Sequence, residues 1–299
     1  MSELLRRMRR GLSEPHLLVR QFNKLYYRLI DPRDTTNVFE EDWDTLVILD
    51  ACRYDVFASC HDLPGELQKR TLRSASTVDF IHQYIAGADL RDTVYVTANP
   101  QLRRYREEFD INVHRVVDIW GEEWWDDALS TVHPETVTEE AIKANEQYPN
   151  KRLVVHYIQP HHPFIGPTGR EKLRFDSIGR FWNRVLTNEI SVSDQVIRRA
   201  YRENLEIALD SVGELLDEIE GKTVVTADHG EMLGESASPI PITEYGHYRG
   251  LRTPELTTVP WLTYQTGPRR EVTTGETESI EQSGQRETVE SRLEDLGYV

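Results

Sequence analysis

Acidic and imidazole side chains follow the most apolar runs of this sequence. Asp50 ends one such run, His161 comes shortly after a second, and Asp228 and His229 leave a third together, followed by a glycine. Another imidazole, His247, follows in an adjoining loop. Two carboxylates and one imidazole make a mixed oxygen and nitrogen site that suits Mn²⁺, Mg²⁺, Ca²⁺ or Zn²⁺. These residues therefore predict a divalent metal site.

Three hydroxyl side chains precede a predicted helix between Asp50 and the next apolar run. They are Ser74, Ser76 and Thr77. Unpaired N–H groups and the positive dipole at a helix N-terminus help to hold a phosphate or sulfate. A hydroxyl bound to a metal loses its proton more readily and becomes a nucleophile. Serine and threonine also cap helices, and the two roles can coexist.

The elements that must position these groups alternate along the chain. The short β-branched runs that predict strands are 45–50, 93–97, 112–118, 152–158, 222–228 and 258–264. The stretches with a helical pattern are 78–87, 138–148 and 193–221. This alternation predicts a three-layer α/β/α sandwich with a mostly parallel central sheet. Ligands of open α/β sheets bind beyond the carboxyl ends of the strands, so we expect the polar groups to converge on one crevice.

The overall charge limits the partners and the location. A net charge of −16 and a pI of about 5.1 argue against a nucleic-acid partner, because such binders neutralise phosphates. Only six of the 35 basic residues are lysines, and this excess of carboxylates over lysines is typical of proteins from a high-salt cytoplasm. Two cysteines cannot form a disulfide framework. The basic start of the sequence is not followed by the apolar segment that a signal peptide has. We therefore expect a cytoplasmic protein.

Residues 1–44 are predicted to be a basic N-terminal helical segment. The first 30 residues carry a net charge of +5, and a basic stripe shares the predicted helix with an apolar one. The apolar positions at helical spacing are Leu18, Phe22, Leu25 and Leu29. Two interpretations stay open. The helix makes peripheral contact with an anionic membrane through residues 17–29, or it docks on the acidic body with its arginines solvated or paired.

The end of the sequence predicts a different segment. Residues 266–285 are rich in Gly, Thr, Ser and Glu, which is typical of a linker. A short helix follows, and we expect it to fold back onto the body through Val289, Leu293 and Leu296. The predicted organisation is thus a catalytic domain over 45–265 and an acidic linker with a short helix over 266–299.

Four motifs, taken together and in order, make the chain resemble the alkaline phosphatase/sulfatase superfamily. They are VILDACRYD at 47–55, HYIQPHHPF at 156–164, TADHGEMLGE at 226–235 and GHYRGLRTPELTTVPWL at 246–262. The chain is most similar to the short sulfatase-like proteins of halophilic archaea, and its ending LEDLGYV is also similar to theirs. The resemblance spans about 45–265 and implies an alkaline phosphatase-like fold.

The resemblance also implies a role for each matched residue. Asp50, Asp228 and His229 match metal ligands. Thr77 matches the nucleophile, which also contacts the metal, with Ser76 and Ser74 as open alternatives. The remaining matches are His161 and His247 as contacts to the substrate anion, leaving group or metal, Arg53 as an anion contact or brace, and Glu231 as a residue around the site.

One departure from the family pattern bears on the reaction. Sulfatases make formylglycine in a C/S-x-P-x-R motif, and none of Cys52, Cys60 and Ser74 lies in one. The resemblance therefore implies a metal-dependent hydrolase or transferase of phosphate or sulfate esters that uses a hydroxyl nucleophile and a covalent intermediate.

The expected substrate is a small-molecule, glycan or lipid ester. One metal per chain is expected, because no third ligand beside His161 and His247 is evident in the sequence. The alternative is a catalytically inactive protein that kept the fold for binding or scaffolding in surface-glycan or lipid metabolism.

Overall fold

The computed structural model of the chain describes residues 15–30, 35–106, 108–173, 181–277 and 286–298. Its strands are β1 (Thr45–Leu49), β2 (Glu66–Thr71), β3 (Asp89–Thr97), β4 (Asn112–Asp118), β5 (Trp125–Asp126), β6 (Thr131–Val132), β7 (Arg152–Tyr157), β8 (Gly221–Thr226), β9 (Met232–Ser236), β10 (Thr243–Gly246) and β11 (Thr258–Thr266). Its helices are α1 (Pro15–Ile30), α2 (Tyr54–Cys60), α3 (Thr77–Phe80, continued by one π-helical turn, Ile81–Ile85), α4 (Gln101–Arg104), α5 (Pro134–Gln147), α6 (Pro167–Lys172), α7 (Phe181–Leu186), α8 (Asp194–Glu218), α9 (Pro254–Thr257) and α10 (Arg286–Asp295).

A seven-stranded, mostly parallel sheet forms the centre, in the order β2-β11-β8-β1-β7-β3-β4. Five adjacent strands from β8 to β4 run parallel, and β11 runs antiparallel to both of its neighbours. The predicted mixed α/β class with a mostly parallel sheet is therefore confirmed. All six predicted strands lie in this sheet. The seventh, β2, was not predicted because its sequence ELQKRT is polar and half-exposed, as suits an edge strand.

The central strands are buried on both faces. Every residue of β1 is buried, although alternate side chains of a strand point to opposite sides of the sheet. Helix α5 packs on β7 and β3 and also against α8. The apolar stripe of α8, which includes Leu205, Val212 and Leu215, is fully buried. This two-sided cover explains why the core strands have continuous apolar runs.

The segments that flank the sheet lie against it. Val289 and Leu293 of α10 pack on Trp120, as expected from the sequence. Part of the predicted linker is tied to the body, because the backbone N–H groups of Thr273 and Gly275 donate to carbonyl groups of other segments. Across the described residues, no helix is both long and apolar enough to cross a membrane.

Candidate active site

The carboxyl ends of three neighbouring strands bring the predicted ligands together. Strand β1 pairs in parallel with β7 on one side and β8 on the other. Asp50 directly follows β1, Asp228 and His229 follow β8, and His161 follows β7. All four side chains are at most 1% exposed. The parallel topology thus produces the predicted crevice.

Two backbone features turn the chain sharply beside these ligands. Ala51 has a φ of 61°, a left-handed conformation that is uncommon for a residue with a side chain. Its N–H donates to Asp228 Oδ1 over 3.1 Å, so the strained turn links the two strand ends. Gly230 packs so tightly that a Cβ there would lie 2.0 Å from the Glu255 carbonyl oxygen. Only glycine fits at that position.

Four side chains form what we call the first cluster: Asp50, Thr77, Asp228 and His229. His229 Nε2 lies 3.3 Å from Asp228 Oδ2 and 3.5 Å from Asp50 Oδ1. Thr77 Oγ1 lies 3.4 Å from His229 Nε2 and 3.5 Å from Asp50 Oδ2. A hydroxyl, two carboxylates and an imidazole therefore share one buried space, and the last three offer ligand atoms within 4.8 Å of one another.

The three candidate hydroxyls have different surroundings. Thr77 is the one that faces the ligands. Ser74 Oγ donates to the backbone carbonyl of Asp228. Ser76 caps α3 and accepts a hydrogen bond from the Asp79 N–H over 3.2 Å. The two serines therefore hold the backbone around the site, and Thr77 is the candidate hydroxyl that lies in the first cluster.

His161, Glu231 and His247 form a second cluster beside the first. Their ligand atoms lie within 4.8 Å of one another, and His247 Nδ1 lies 2.9 Å from Glu231 Oε1. The ring centroids of His247 and His229 are 4.5 Å apart, so the two clusters adjoin. The sequence predicts one metal because no third ligand is evident beside the two histidines. The structure places Glu231 there.

Several buried polar atoms of both clusters lack partners. Asp50 Oδ1, Asp228 Oδ2, Glu231 Oε2 and His161 Nε2 make no hydrogen bond within the described residues. Burial, together with the neighbouring Asp228, raises the pKa of Asp50, and burial raises the pKa of Glu231. Unpaired buried carboxylate oxygens are costly. Such a donor set fits a divalent cation, whose charge would offset that of the acids.

The imidazoles are in the form that binds metals. Burial lowers the pKa of His229 and His161 and lowers the pKa of His247 to about 4, so all three are neutral at pH 7. His229 Nδ1 lies 2.7 Å from the Gly230 carbonyl oxygen. A carbonyl only accepts, so the proton is on Nδ1. The lone pair of Nε2 then faces the carboxylates, as for a metal-ligating histidine.

Arg53 lies at the edge of the site, where it holds the backbone that carries Glu231. Its guanidinium donates to Asp55 over 2.7 and 2.9 Å and to Glu235 over 2.6 Å. It also donates to the Glu231 backbone carbonyl over 3.2 Å. These contacts fit a brace for the loop after β8, and a direct role in binding the anion stays a prediction.

Three polar residues near the first cluster were not predicted. Asn99 donates to Asp50 Oδ2 over 2.6 Å, and the Tyr298 hydroxyl donates to the same oxygen. His156 lies beneath, with Nε2 4.0 Å from both Asp50 and Asp228. Asn99 follows the end of β3. The expectation that ligands bind beyond the carboxyl ends of the strands could therefore have identified it. His156 stands inside an apolar run, and Tyr298 approaches from a distant segment, so local sequence carries little signal for either.

Comparisons with other proteins find similar solved structures but no similar sequence family. The sequence matches no protein-family model and no curated protein. One similar solved structure is the C-terminal periplasmic domain of EcEptC from Escherichia coli in complex with Zn (14% identity, 78% of this chain and 76% of that chain, TM-score 0.49). Others are a protein of the alkaline phosphatase superfamily from Vibrio parahaemolyticus (10%, 93% and 74%, 0.46) and the lipoteichoic acid synthase LtaP from Listeria monocytogenes (11%, 85% and 73%, 0.45). These TM-scores lie below 0.5, so nothing about this chain's activity follows from them.

Proposed function

We propose that this protein is a metal-dependent hydrolase or transferase of phosphate esters, with sulfate esters as the second choice. The observation that supports it is the buried Thr77 hydroxyl, which lies between an imidazole and a carboxylate. Beside it are acidic oxygens that have no hydrogen-bond partner among the residues the structure describes. Asp50, Asp228, His229 and the Thr77 hydroxyl would hold a divalent cation. When bound, such a cation lowers the pKa of a contacting hydroxyl and offsets the charge of the ester.

Thr77 is the residue that reacts in this proposal. Its Oγ1 forms a bond to phosphorus while the bond from phosphorus to the leaving oxygen breaks, and the hydroxyl proton passes to solvent. The leaving oxygen takes up a proton from solvent. Water or an alcohol then attacks phosphorus, the bond from phosphorus to Oγ1 breaks, the attacking oxygen gives up a proton to solvent and Oγ1 takes one up. The choice between water and alcohol decides between hydrolysis and transfer.

His161 and His247 fit better as ligands of a second cation than as proton donors. His161 Nδ1 faces the His162 carbonyl, which only accepts, so the Nε2 of His161 carries a lone pair. His247 Nδ1 lies 2.9 Å from Glu231 Oε1, and when a bound cation keeps Glu231 ionised that oxygen only accepts, so the lone pair of His247 is on Nε2. A pKa of about 4 also leaves little protonated His247 at pH 7. We therefore propose two cations per chain, where the sequence predicted one.

A substrate panel tests the activity. Chelated protein is reloaded with Mn²⁺, Mg²⁺, Ca²⁺ or Zn²⁺, and turnover of p-nitrophenyl phosphate, bis(p-nitrophenyl) phosphate and p-nitrophenyl sulfate is measured at low and at molar salt. Thr77→Ala is expected to lose at least about 1,000-fold in turnover. Ser76→Ala is the matched control, because it removes a neighbouring hydroxyl and a helix cap worth about 1 kcal/mol.

Three results would overturn parts of this proposal. Full metal loading without turnover of any ester would favour the inactive binding or scaffold protein. A larger loss of turnover in Ser74→Ala or Ser76→Ala than in Thr77→Ala would assign the nucleophile to that serine. Metal analysis that finds one cation per chain would reject the second site. The cytoplasmic location and the high-salt setting stay predictions.

A further inference from the structure

Helix α1 packs on the body of the protein through its polar face. Arg20 donates to both carboxylate oxygens of Glu244 over 2.8 and 2.6 Å, and Glu244 is fully buried. Asn23 is also fully buried and exchanges two hydrogen bonds with the backbone of Ile240, over 2.8 and 3.0 Å. Tyr27 lies 2.6 Å from Ser238 through its hydroxyl. These paired contacts fix which face of the helix points outward.

The outward face is apolar. The exposed fractions are 49% for Leu18, 53% for Phe22, 50% for Leu25 and 71% for Leu29. These four are most of the six large hydrophobic side chains that lie exposed in the described segments. An ordinary surface helix turns such a stripe towards the core. Contiguous exposed apolar patches mark surfaces that bind a partner.

The charge around this face indicates the partner. Helix α1 contains Arg20, Lys24 and Arg28 and no acidic residue, although the whole chain has a net charge of −16. Arg28 is exposed beside the apolar stripe. A surface that is apolar inside and anionic outside suits both features, and an anionic lipid bilayer is such a surface.

We propose that α1 lies in the surface of an anionic membrane, with Leu18, Phe22, Leu25 and Leu29 in its apolar layer. Arg28, the basic residue of the helix that is exposed, would then lie at the level of the lipid phosphates, while Arg20 stays paired with Glu244. Polar docking of the helix on the protein leaves its apolar face free for this contact, so the body need not unfold or release the helix to bind.

The same helix lies next to the candidate active site. Its docking residue Arg20 contacts Glu244 and stacks on the ring of Tyr248, 3.5 Å from the ring centroid. Both partners flank His247 closely in the chain. A membrane on α1 would therefore lie beside the segment that carries one side chain of the second cluster. If the proposed function holds, this placement suits phosphate esters of lipids.

Vesicle sedimentation of the full chain tests the proposal. Phosphatidylcholine vesicles with and without phosphatidylglycerol are compared, at low and at molar salt. We expect binding to the anionic vesicles, with the anionic preference falling as salt screens it. Leu25→Gln/Leu29→Gln is expected to weaken binding at least about ten-fold, because each leucine contributes buried apolar area. Val272→Gln, at a hydrophobic residue outside α1 that is 40% exposed, is the matched control and should bind like wild type.

Three outcomes would overturn the proposal: no binding of the wild type to either vesicle, equal loss in Val272→Gln, or a wild-type dimer in sedimentation velocity that Leu25→Gln/Leu29→Gln converts to monomer. The dimer would assign this face to a second copy. Thermal melting checks that the variants stay folded. Turnover of soluble esters is measured separately. If the chain binds vesicles but cleaves no ester, membrane binding through α1 is supported and the proposed function is rejected.

Discussion

Proteins usually bury apolar side chains and expose charged ones. Two regions of this molecule depart from that arrangement in opposite ways: the crevice beyond β1 and β8, and the outward face of α1. The crevice buries carboxylates that each have one oxygen without a hydrogen-bond partner in the described part of the chain, whereas α1 exposes leucines and a phenylalanine. Each arrangement costs free energy in the isolated protein. The difference in chemistry indicates different missing partners, a cation for the first and an apolar surface for the second.

Both regions are nevertheless held firmly by polar contacts. In the crevice, Asp228 Oδ1 accepts from two backbone N–H groups, which leaves Oδ2 directed at the cluster. On α1, the ion pair of Arg20 and Glu244 turns the apolar stripe outward. A group that lacks a partner in a firmly held position is better evidence of a missing ligand than one on a loose loop. A loose loop can move until its groups find partners, whereas a firmly held group cannot.

The largest effect is expected from Asp228→Asn. An amide cannot supply the negative charge that the cation needs, so metal content should fall, and turnover should fall at least about 1,000-fold, or roughly 4 kcal/mol. Metal analysis and ester kinetics measure the two losses. Asp217→Asn, at an exposed acid of α8, should change neither. Normal metal content and turnover in Asp228→Asn would show that the crevice does not hold a catalytic cation.

Arg20→Met should have the next largest effect. It leaves the buried Glu244 without its partner, and breaking such a pair costs about 3 kcal/mol of unfolding free energy. Chemical denaturation measures the loss, and hydrogen exchange should show faster opening of α1. Arg20→Met/Glu244→Gln should recover part of the stability, because no uncompensated charge remains. An unchanged stability in Arg20→Met would mean that α1 is not held by this pair.

Metal binding should stabilise the protein in a pH-dependent way. Without a cation, the raised pKa values of Asp50 and Glu231 mean that the folded protein keeps protons which the unfolded chain releases above its ordinary pKa values of 3.8 and 4.5. These groups therefore make the metal-free protein less stable as the pH rises above those values towards the raised pKa values of the folded protein. A cation replaces the protons, so its stabilising effect should grow over the same range.

Thermal melting with and without Mn²⁺ or Zn²⁺ measures this effect. Saturation at 100 times the Kd corresponds to about 2.7 kcal/mol. The gain should be larger at pH 8 than at pH 5, because metal and protons compete for the carboxylates. A gain that shrinks with rising pH would show that the acids of the crevice do not bind the metal.

The smallest effect is expected from Tyr298→Phe. It removes one of the three hydrogen bonds on Asp50 Oδ2 and leaves those of Asn99 and Thr77, a loss of about 1 kcal/mol. We expect a roughly five-fold weaker metal affinity, measured by titration with a competing chelator. Tyr264→Phe, in a half-buried position of β11, should leave the affinity unchanged. Equal effects of the two substitutions would argue against a positioning role for Tyr298.

Much of the sheet and the first cluster could be predicted because their signals are local. Buried parallel strands are continuous apolar runs, so their ends, and with them Asp50 and Asp228, are visible in the sequence. The polar edge strand β2 has no such signal. Tyr298 could not be placed, because its contact with Asp50 joins residues 248 positions apart.

The sequence by itself determined which side chains could bind a metal and that α1 is amphipathic, because strand ends and helical spacing depend on neighbouring residues. Only the tertiary structure placed Thr77, and not its neighbouring serines, beside the ligand side chains, added Glu231 to the two histidines, and turned the apolar face of α1 outward. That last choice depends on Glu244, which lies 224 residues from Arg20. Contacts over such separations arise from the packing of whole elements, and no local pattern encodes them.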